Sequence, residues 1–365
     1  MNLKKKNMAV CILFAVLLFG GFFLCLFLPK PVYSKSERRG LMAMPRLTAE
    51  NVWSGRFMAD FESYAADAFP FRDSFRSLKA LTAGGIFFRQ DNNGLYVRDD
   101  FISTVEYPLN EESLDYAAER FRFICEKYLT DQNKVFLSVI PDKNCFLAEE
   151  SGHLSLDYED FEKKMAEKAD FAEYISVSDL LEKEDYYRTD THWRQERIGD
   201  VADRLAQAMG TRLTEEYELH TLTEEFYGVY HGQAALPLAP DSLQYMTGEG
   251  IDSCTVYDWQ NGREIPVYDV SQAGGRDPYE MFLSGSLSLL TIENPEALTD
   301  KKLVLFRDSF GSSIAPLLIS GYAKITLADI RYIRPEHLGQ FVDFSDCDVL
   351  FLYSTLVLNH SETIK

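Results

Sequence analysis

The 365-residue sequence has no basic face, no CxxC pair, no internal repeat and no low-complexity tract. Each absence removes a class of function. With 57 acidic against 37 basic residues and a formal charge of −20, nothing offers a landing surface for a phosphate backbone, so nucleic acid is excluded as a partner. The cysteines lack metal-finger or redox-pair spacing. Cys11 and Cys25 lie in the first apolar run, while Cys125, Cys145, Cys254 and Cys347 stand singly, as small buried or half-buried hydrophobes do. An oxidising compartment permits a disulfide among them, but spacing does not give its connectivity. No metal and no cofactor is expected: Asp190 and His192 have no third ligand near them in sequence, and His220 and His231 are spare imidazoles only. Disorder is excluded as well, since 46% of residues are hydrophobic and 13% aromatic.

The long apolar run is at the amino end. Lys4, Lys5 and Lys6 precede an uninterrupted stretch from Met8 to Leu28, enough at about 1.5 Å per residue to cross a bilayer core of about 30 Å. Basic residues before the run predict a cytoplasmic tail over residues 1–7, an anchor over 8–28 and an extracytoplasmic remainder. A signal peptide is the rival reading, but its apolar region is normally shorter and Val32-Tyr33-Ser34 is a poor cleavage site. Both readings place everything after residue 30 outside the cytoplasm. Leu303–Phe306 and Val349–Tyr353 are too short to span and read as buried strands.

Residues 29–50 look like a linker, and 51–365 like one extracytoplasmic domain. Over 51–80, Phe57, Phe61, Tyr64 and Phe69 recur near one helical face, and Gly84-Gly85 breaks the pattern. From residue 111 the chain alternates. Helices are expected over 112–129, 161–169, 196–209, 312–320 and 335–341, and strands over 134–140, 175–177, 303–306, 324–327 and 349–353. Residues 211–300 hold many turn residues with short strand-like pieces and read as a β-rich insertion. Strands alternating with helices predict an α/β fold: a parallel sheet with covered faces.

Two segments carry chemistry. The first is Tyr186-Tyr187-Arg188-Thr189-Asp190-Thr191-His192-Trp193, where a spacing of two lets Asp190 and His192 leave a loop in the same direction. A histidine base needs one nitrogen held and the other free, and a neighbouring carboxylate can hold it. The second is Leu303-Val304-Leu305-Phe306-Arg307-Asp308-Ser309-Phe310-Gly311, a buried strand ending in a polar turn before a helix. Open α/β sheets place their ligands beyond such a carboxyl end, and amides at the helix start could hold an oxyanion. Each segment also has a plain structural reading, the first as a cap with a packed tryptophan and the second as a helix N-cap. Taken together they point to Ser309 as nucleophile, His192 as general acid/base and Asp190 as its orienting carboxylate. Trp193, Tyr187, Tyr279 and Arg307 are candidate substrate contacts, with Tyr186 a further aromatic that could stack on a sugar.

With these residues in view, the sequence resembles the DHHW family and, more distantly, the SGNH-hydrolase-like O-acetyltransferases of the alginate acetylation type. Asp190-Thr191-His192-Trp193 stands where the family has its tetrad, and Arg307-Asp308-Ser309-Phe310 is the second specific block. Asp67-Ala68-Phe69-Pro70-Phe71-Arg72-Asp73, Asn93-Gly94-Leu95-Tyr96, Pro141-Asp142-Lys143-Asn144, Asp277-Pro278-Tyr279, Phe282-Leu283-Ser284-Gly285 and Asp329-Ile330-Arg331-Tyr332 support it. The resemblance implies a flavodoxin-like SGNH core, a Ser309/His192/Asp190 triad, an extracytoplasmic polysaccharide as acceptor and a membrane O-acyltransferase that supplies acetyl groups. No GDS block is recognisable near residue 50, so its serine role falls to Ser309. Ser284 stands where glycine is more usual, which weighs against an oxyanion role there. The expected activity is O-acetyl transfer at the cell envelope. A carbohydrate esterase using the same site and a non-catalytic envelope scaffold are the alternatives.

Overall fold

The computed structural model describes residues 3–34 and 36–365. By its internal contacts the chain divides into two units, residues 1–93 with 231–237, and residues 94–230 with 238–365.

The first unit is helical. Leu3–Phe27 is one continuous helix of 25 residues, about 37 Å long, and its composition is apolar enough to cross a membrane. The stretch 51–80, where helical periodicity is expected, forms three helices: Ala49–Trp53, Arg56–Asp67 and Arg72–Gly85. The breaks have local causes. Gly55 takes a left-handed φ of 76°, and Pro70 cannot extend a helix, so Phe71 turns the chain at φ 56°. The last helix runs through Gly84 and Gly85 instead of ending before them. Within this unit Asp67 binds the Arg39 guanidinium at 2.6 and 2.8 Å, which holds its carboxyl down to about 2. Glu37 pairs with Arg72 at 2.5 Å and Arg76 at 3.4 Å.

The second unit is built on an eight-stranded sheet. Its spatial order is Arg263–Ile265, Thr255–Asp258, Leu289–Glu293, Lys324–Ala328, Lys302–Arg307, Cys347–Ser354, Val135–Ile140 and Glu173–Tyr174. The last five strands are parallel, with Val304 opposite Thr326 and Val349, and Val349 opposite Val135. The first three join by antiparallel pairing, so much of the β-rich stretch 211–300 extends this sheet. Its other part is the hairpin Glu218–Phe226 with Asp241–Thr247.

The alternation of side chains along the strands divides the core. Leu303, Leu305, Leu350 and Leu352 enter one apolar cluster, and Val304, Phe306, Val349 and Phe351 enter the other, so both faces are covered. The helices Glu111–Tyr128 and Tyr158–Lys168 pack Phe121, Ile124, Phe161 and Met165 on one side. Val201, Leu205 and Leu318 fill the other.

Several elements differ in detail from their expected form. The edge strand is Glu173–Tyr174, two residues earlier than expected, because Phe136 and Leu137 pair there. The stretch expected to be helical over 196–209 opens as a 3-10 turn at Gln195–Arg197 before the helix Gly199–Ala208. After Ser309 the α-helix lasts only Gly311–Ile314. Pro316 lacks the N–H for the next helical bond, and Ala315–Gly321 continues as a 3-10 turn.

Candidate active site

Three adjacent parallel strands, Lys302–Arg307, Cys347–Ser354 and Val135–Ile140, end on the same side of the sheet. The residues that follow them, Asp308-Ser309, Thr355 and Asp142-Lys143, are tied to one another. Asp308 accepts from the Ser354 N–H at 2.8 Å and its hydroxyl at 2.7 Å, and Asp142 accepts from the Thr355 hydroxyl at 2.8 Å. Asp308 also accepts from the Phe310 N–H at 3.0 Å. It therefore fixes the turn that carries Ser309 and points away from any proton-relay role.

Asp190 and His192 reach this edge from a tight turn. Tyr186 bridges antiparallel to Trp193, and the Tyr187 N–H donates to the His192 carbonyl at 3.1 Å. Residues 188–191 form the tip. Asp241 holds that tip, accepting from the N–H groups of Arg188 (3.0 Å) and Thr189 (2.9 Å) and from the Thr189 hydroxyl (2.6 Å). Lys143, fully buried, supports it from below by donating to the carbonyls of Tyr187 at 2.8 Å and Arg188 at 3.3 Å. Burial pushes the Lys143 ammonium down to about 7, against the pull of Asp190, Asp241 and Asp142.

The geometry that results is a hydrogen-bonded series. Asp190 Oδ1 lies 2.6 Å from His192 Nδ1, and His192 Nε2 lies 2.7 Å from Ser309 Oγ. With the carboxylate accepting from Nδ1, Nε2 is left to accept the Ser309 proton. Asp190 spends its second oxygen on the Val229 N–H at 2.8 Å. Asp190 is buried, His192 is 9% exposed, and Ser309 is half-buried. The sequence separates His192 from Ser309 by 117 residues, and the fold closes that gap.

The imidazole is held on its faces as well as at its edges. Tyr279 stacks on it with ring centroids 3.9 Å apart and planes within 9°, and Phe310 flanks it at 5.0 Å. The Tyr279 hydroxyl donates to Ser313 Oγ at 2.9 Å, and burial raises its phenol well above the ordinary value. The Trp193 indole donates to the same Ser313 oxygen at 2.8 Å.

Four expected substrate contacts need correction. Tyr187, Trp193 and Arg307 are wholly buried and Tyr279 nearly so, because they form the packing beneath the site and present no free face to a sugar; Tyr186 is buried with them. Arg307 runs under the turn Leu283-Ser284-Gly285, donating to the carbonyls of Gly285 and Leu287 at 3.4 Å, with Asp329 3.7 Å away. That turn has three successive left-handed residues (φ 53°, 56° and 80°), and its Leu283 and Gly285 amides are taken by Val267 and Phe282. The helix-start amides expected to hold an oxyanion are likewise committed: Phe310 to Asp308 Oδ1, Gly311 to the Asp308 carbonyl, Ser312 to the Ser309 carbonyl. The Ser309 N–H itself has no acceptor among the described residues.

Asp241, Lys143, Val229 and Ser313 were not identified as supports from sequence. Only Lys143 carries a signal, within the Pro141-Asp142-Lys143-Asn144 block that follows a buried strand.

No protein-family model and no curated protein sequence matches the chain. Solved structures do. A DHHW family protein from Eubacterium siraeum superposes with a TM-score of 0.60 at 20% identity, covering 75% of this chain and 95% of that one. Bacillus cereus PatB1 matches at 16% identity and TM-score 0.56, over 73% of this chain and 97% of its own. The same protein carrying a sulfonyl adduct matches at 16% identity and 0.56, over 72% and 97%. The chain thus shares its fold with a DHHW family protein.

Proposed function

We propose that the protein is a membrane-anchored extracytoplasmic O-acetyltransferase of SGNH type, acting on a cell-envelope polysaccharide through Ser309, His192 and Asp190. The observation that carries this reading is the series Asp190–His192–Ser309, with contacts of 2.6 and 2.7 Å. Ser309 Oγ attacks an acetyl carbonyl as its proton passes to His192 Nε2, and Asp190 stabilises the imidazolium so formed. Collapse expels the donor's leaving group, which takes that proton, and leaves the acetyl ester on Ser309. A sugar hydroxyl then gives its proton to His192 and displaces the serine, which recovers a proton from the imidazolium. The Ser309 N–H supplies one donor to the developing oxyanion. The reading assigns acetyl supply to a membrane O-acyltransferase on the other side of the reaction.

Two features support the assignment without standing alone: the apolar Leu3–Phe27 helix, which would retain the domain at the envelope, and the shared fold with PatB1, a protein captured with a sulfonyl adduct. The test uses the full-length protein with an aryl sulfonyl fluoride. Covalent mass on Ser309, lost in His192→Ala, is expected, together with acetyl ester formation on glycan hydroxyls that falls at least about a thousandfold in Ser309→Ala. Release of free acetate with no glycan product would make the protein an esterase, and full activity in a folded Ser309→Ala protein would end the proposal.

A further inference from the structure

The helix Arg72–Gly85 is inside out. Its inward face is Arg72, Arg76, Ala80 and Ala83, positions that recur at helical spacing. The two arginines are only 19% exposed and pair with Glu37, while Arg76 also donates to the Gly232 carbonyl at 2.7 Å. The opposite face carries Phe71, Phe75, Leu78 and Leu81, all between 50 and 66% exposed. Ile86, Phe87 and Phe88 continue it, and Met58, Phe61 and Trp53 (94% exposed) add to the apolar surface of the same unit. Water does not support such an arrangement, and the exposed surface needs an apolar cover.

We propose that this surface lies in the headgroup–acyl boundary of the bilayer that Leu3–Phe27 crosses, facing anionic lipid. The proposal rests on reading Leu3–Phe27 as a retained anchor. Continuity of the chain favours the bilayer over a protein partner. Lys30, three residues past the anchor helix, donates to the Tyr64 hydroxyl and sits 4.7 Å over its ring, so the helix Arg56–Asp67 is held where the chain leaves the membrane. Charge favours it too. Residues 29–93 hold ten basic and seven acidic residues, whereas 94–365 hold 24 basic and 50 acidic. The whole negative surplus belongs to residues 94–365, and residues 29–93, next to the anchor in sequence, have the sign that anionic headgroups attract. A tryptophan with its ring free beside a spanning helix is also the residue type that settles at a membrane interface.

The test places the full-length protein in phosphatidylcholine–phosphatidylglycerol vesicles whose acyl chains are brominated near the headgroup. Subtracting the emission of a Trp53→Phe chain isolates Trp53 from Trp193 and Trp259. That difference is expected to fall about twofold relative to unbrominated vesicles, as an interfacial indole requires. In a Phe71→Ser/Phe75→Ser/Leu78→Ser chain the quenching should be lost while the protein still pellets with the vesicles through its anchor. An unquenched Trp53 in a protein that does pellet would overturn the proposal, and disulfide-linked dimers of a Phe75→Cys chain would then identify a second copy as the cover. A mature protein whose mass lacks residues 3–27 would instead overturn the anchor reading on which the proposal rests.

Discussion

Lys143 shows how much a single side chain behind the site can control. Its ammonium is enclosed, and the carbonyls it binds belong to the turn that presents Asp190 and His192. In the unfolded chain a lysine keeps its proton up to about 10.4, whereas burial brings Lys143 down to about 7. Between those values the unfolded state holds the extra proton, so this site makes stability rise with pH from about 7 towards 10, and its full cost is present below 7. The denaturation midpoint measured across that window should therefore climb more steeply in wild type than in Lys143→Met; equal slopes would rule the account out. Asp190→Asn should leave the fold intact yet lower acyl transfer by about a thousandfold or more, because an amide can donate to Nδ1 and fix the wrong tautomer. A pH–rate profile together with a melting curve separates that loss from unfolding. His192, Asp190 and Ser309 are legible in the sequence as candidates because two of them are near neighbours and the third follows an apolar strand. Lys143 and Asp241 were not, since what they hold lies 44 to 53 residues away along the chain.

The turns after the strands set the site more than the strands do. Gly228, just past the strand Glu218–Phe226, shows this best. A Cβ placed there would stand 2.4 Å from the Cα and Cβ of Asp190 and from the Thr189 carbonyl oxygen. Backbone cannot yield as a flexible side chain can. Gly228→Ala should cost about 1–3 kcal/mol and displace the Asp190 turn, so kcat falls further than stability alone explains. Activity assayed well below the melting temperature is the check, and wild-type turnover there would refute it. Gly311 offers a softer comparison: its Cβ would meet the Arg307 side chain at 2.5 Å, and Gly311→Ala should disturb the Ser309 turn through that arginine. The shortness of the helix Gly311–Ile314 follows from Pro316, which interrupts the helical stretch expected over 312–320.

Over the whole molecule, stability in the second unit rests on two apolar layers either side of one sheet and on no covalent brace. All six cysteines are free, so a reducing agent should leave the melting temperature unchanged, and a drop of several degrees would point to a disulfide. The apolar amino-terminal helix, the acidic balance, the alternation of strands and helices and the candidacy of Asp190, His192 and Ser309 follow from the sequence alone. These depend on composition, local periodicity and short spacings. The sequence also suggested aromatic and arginine contacts to a sugar that the fold turns inward, since a residue's type does not say which side of a core it faces. Tertiary structure alone decided that strands 255–258, 263–265 and 289–293 lengthen the main sheet, that Tyr279 stacks on His192, and that Ser309 stands within a hydrogen bond of His192. Each of these joins residues distant in sequence, and only the register of a closed, packed sheet fixes such distances to a fraction of an ångström.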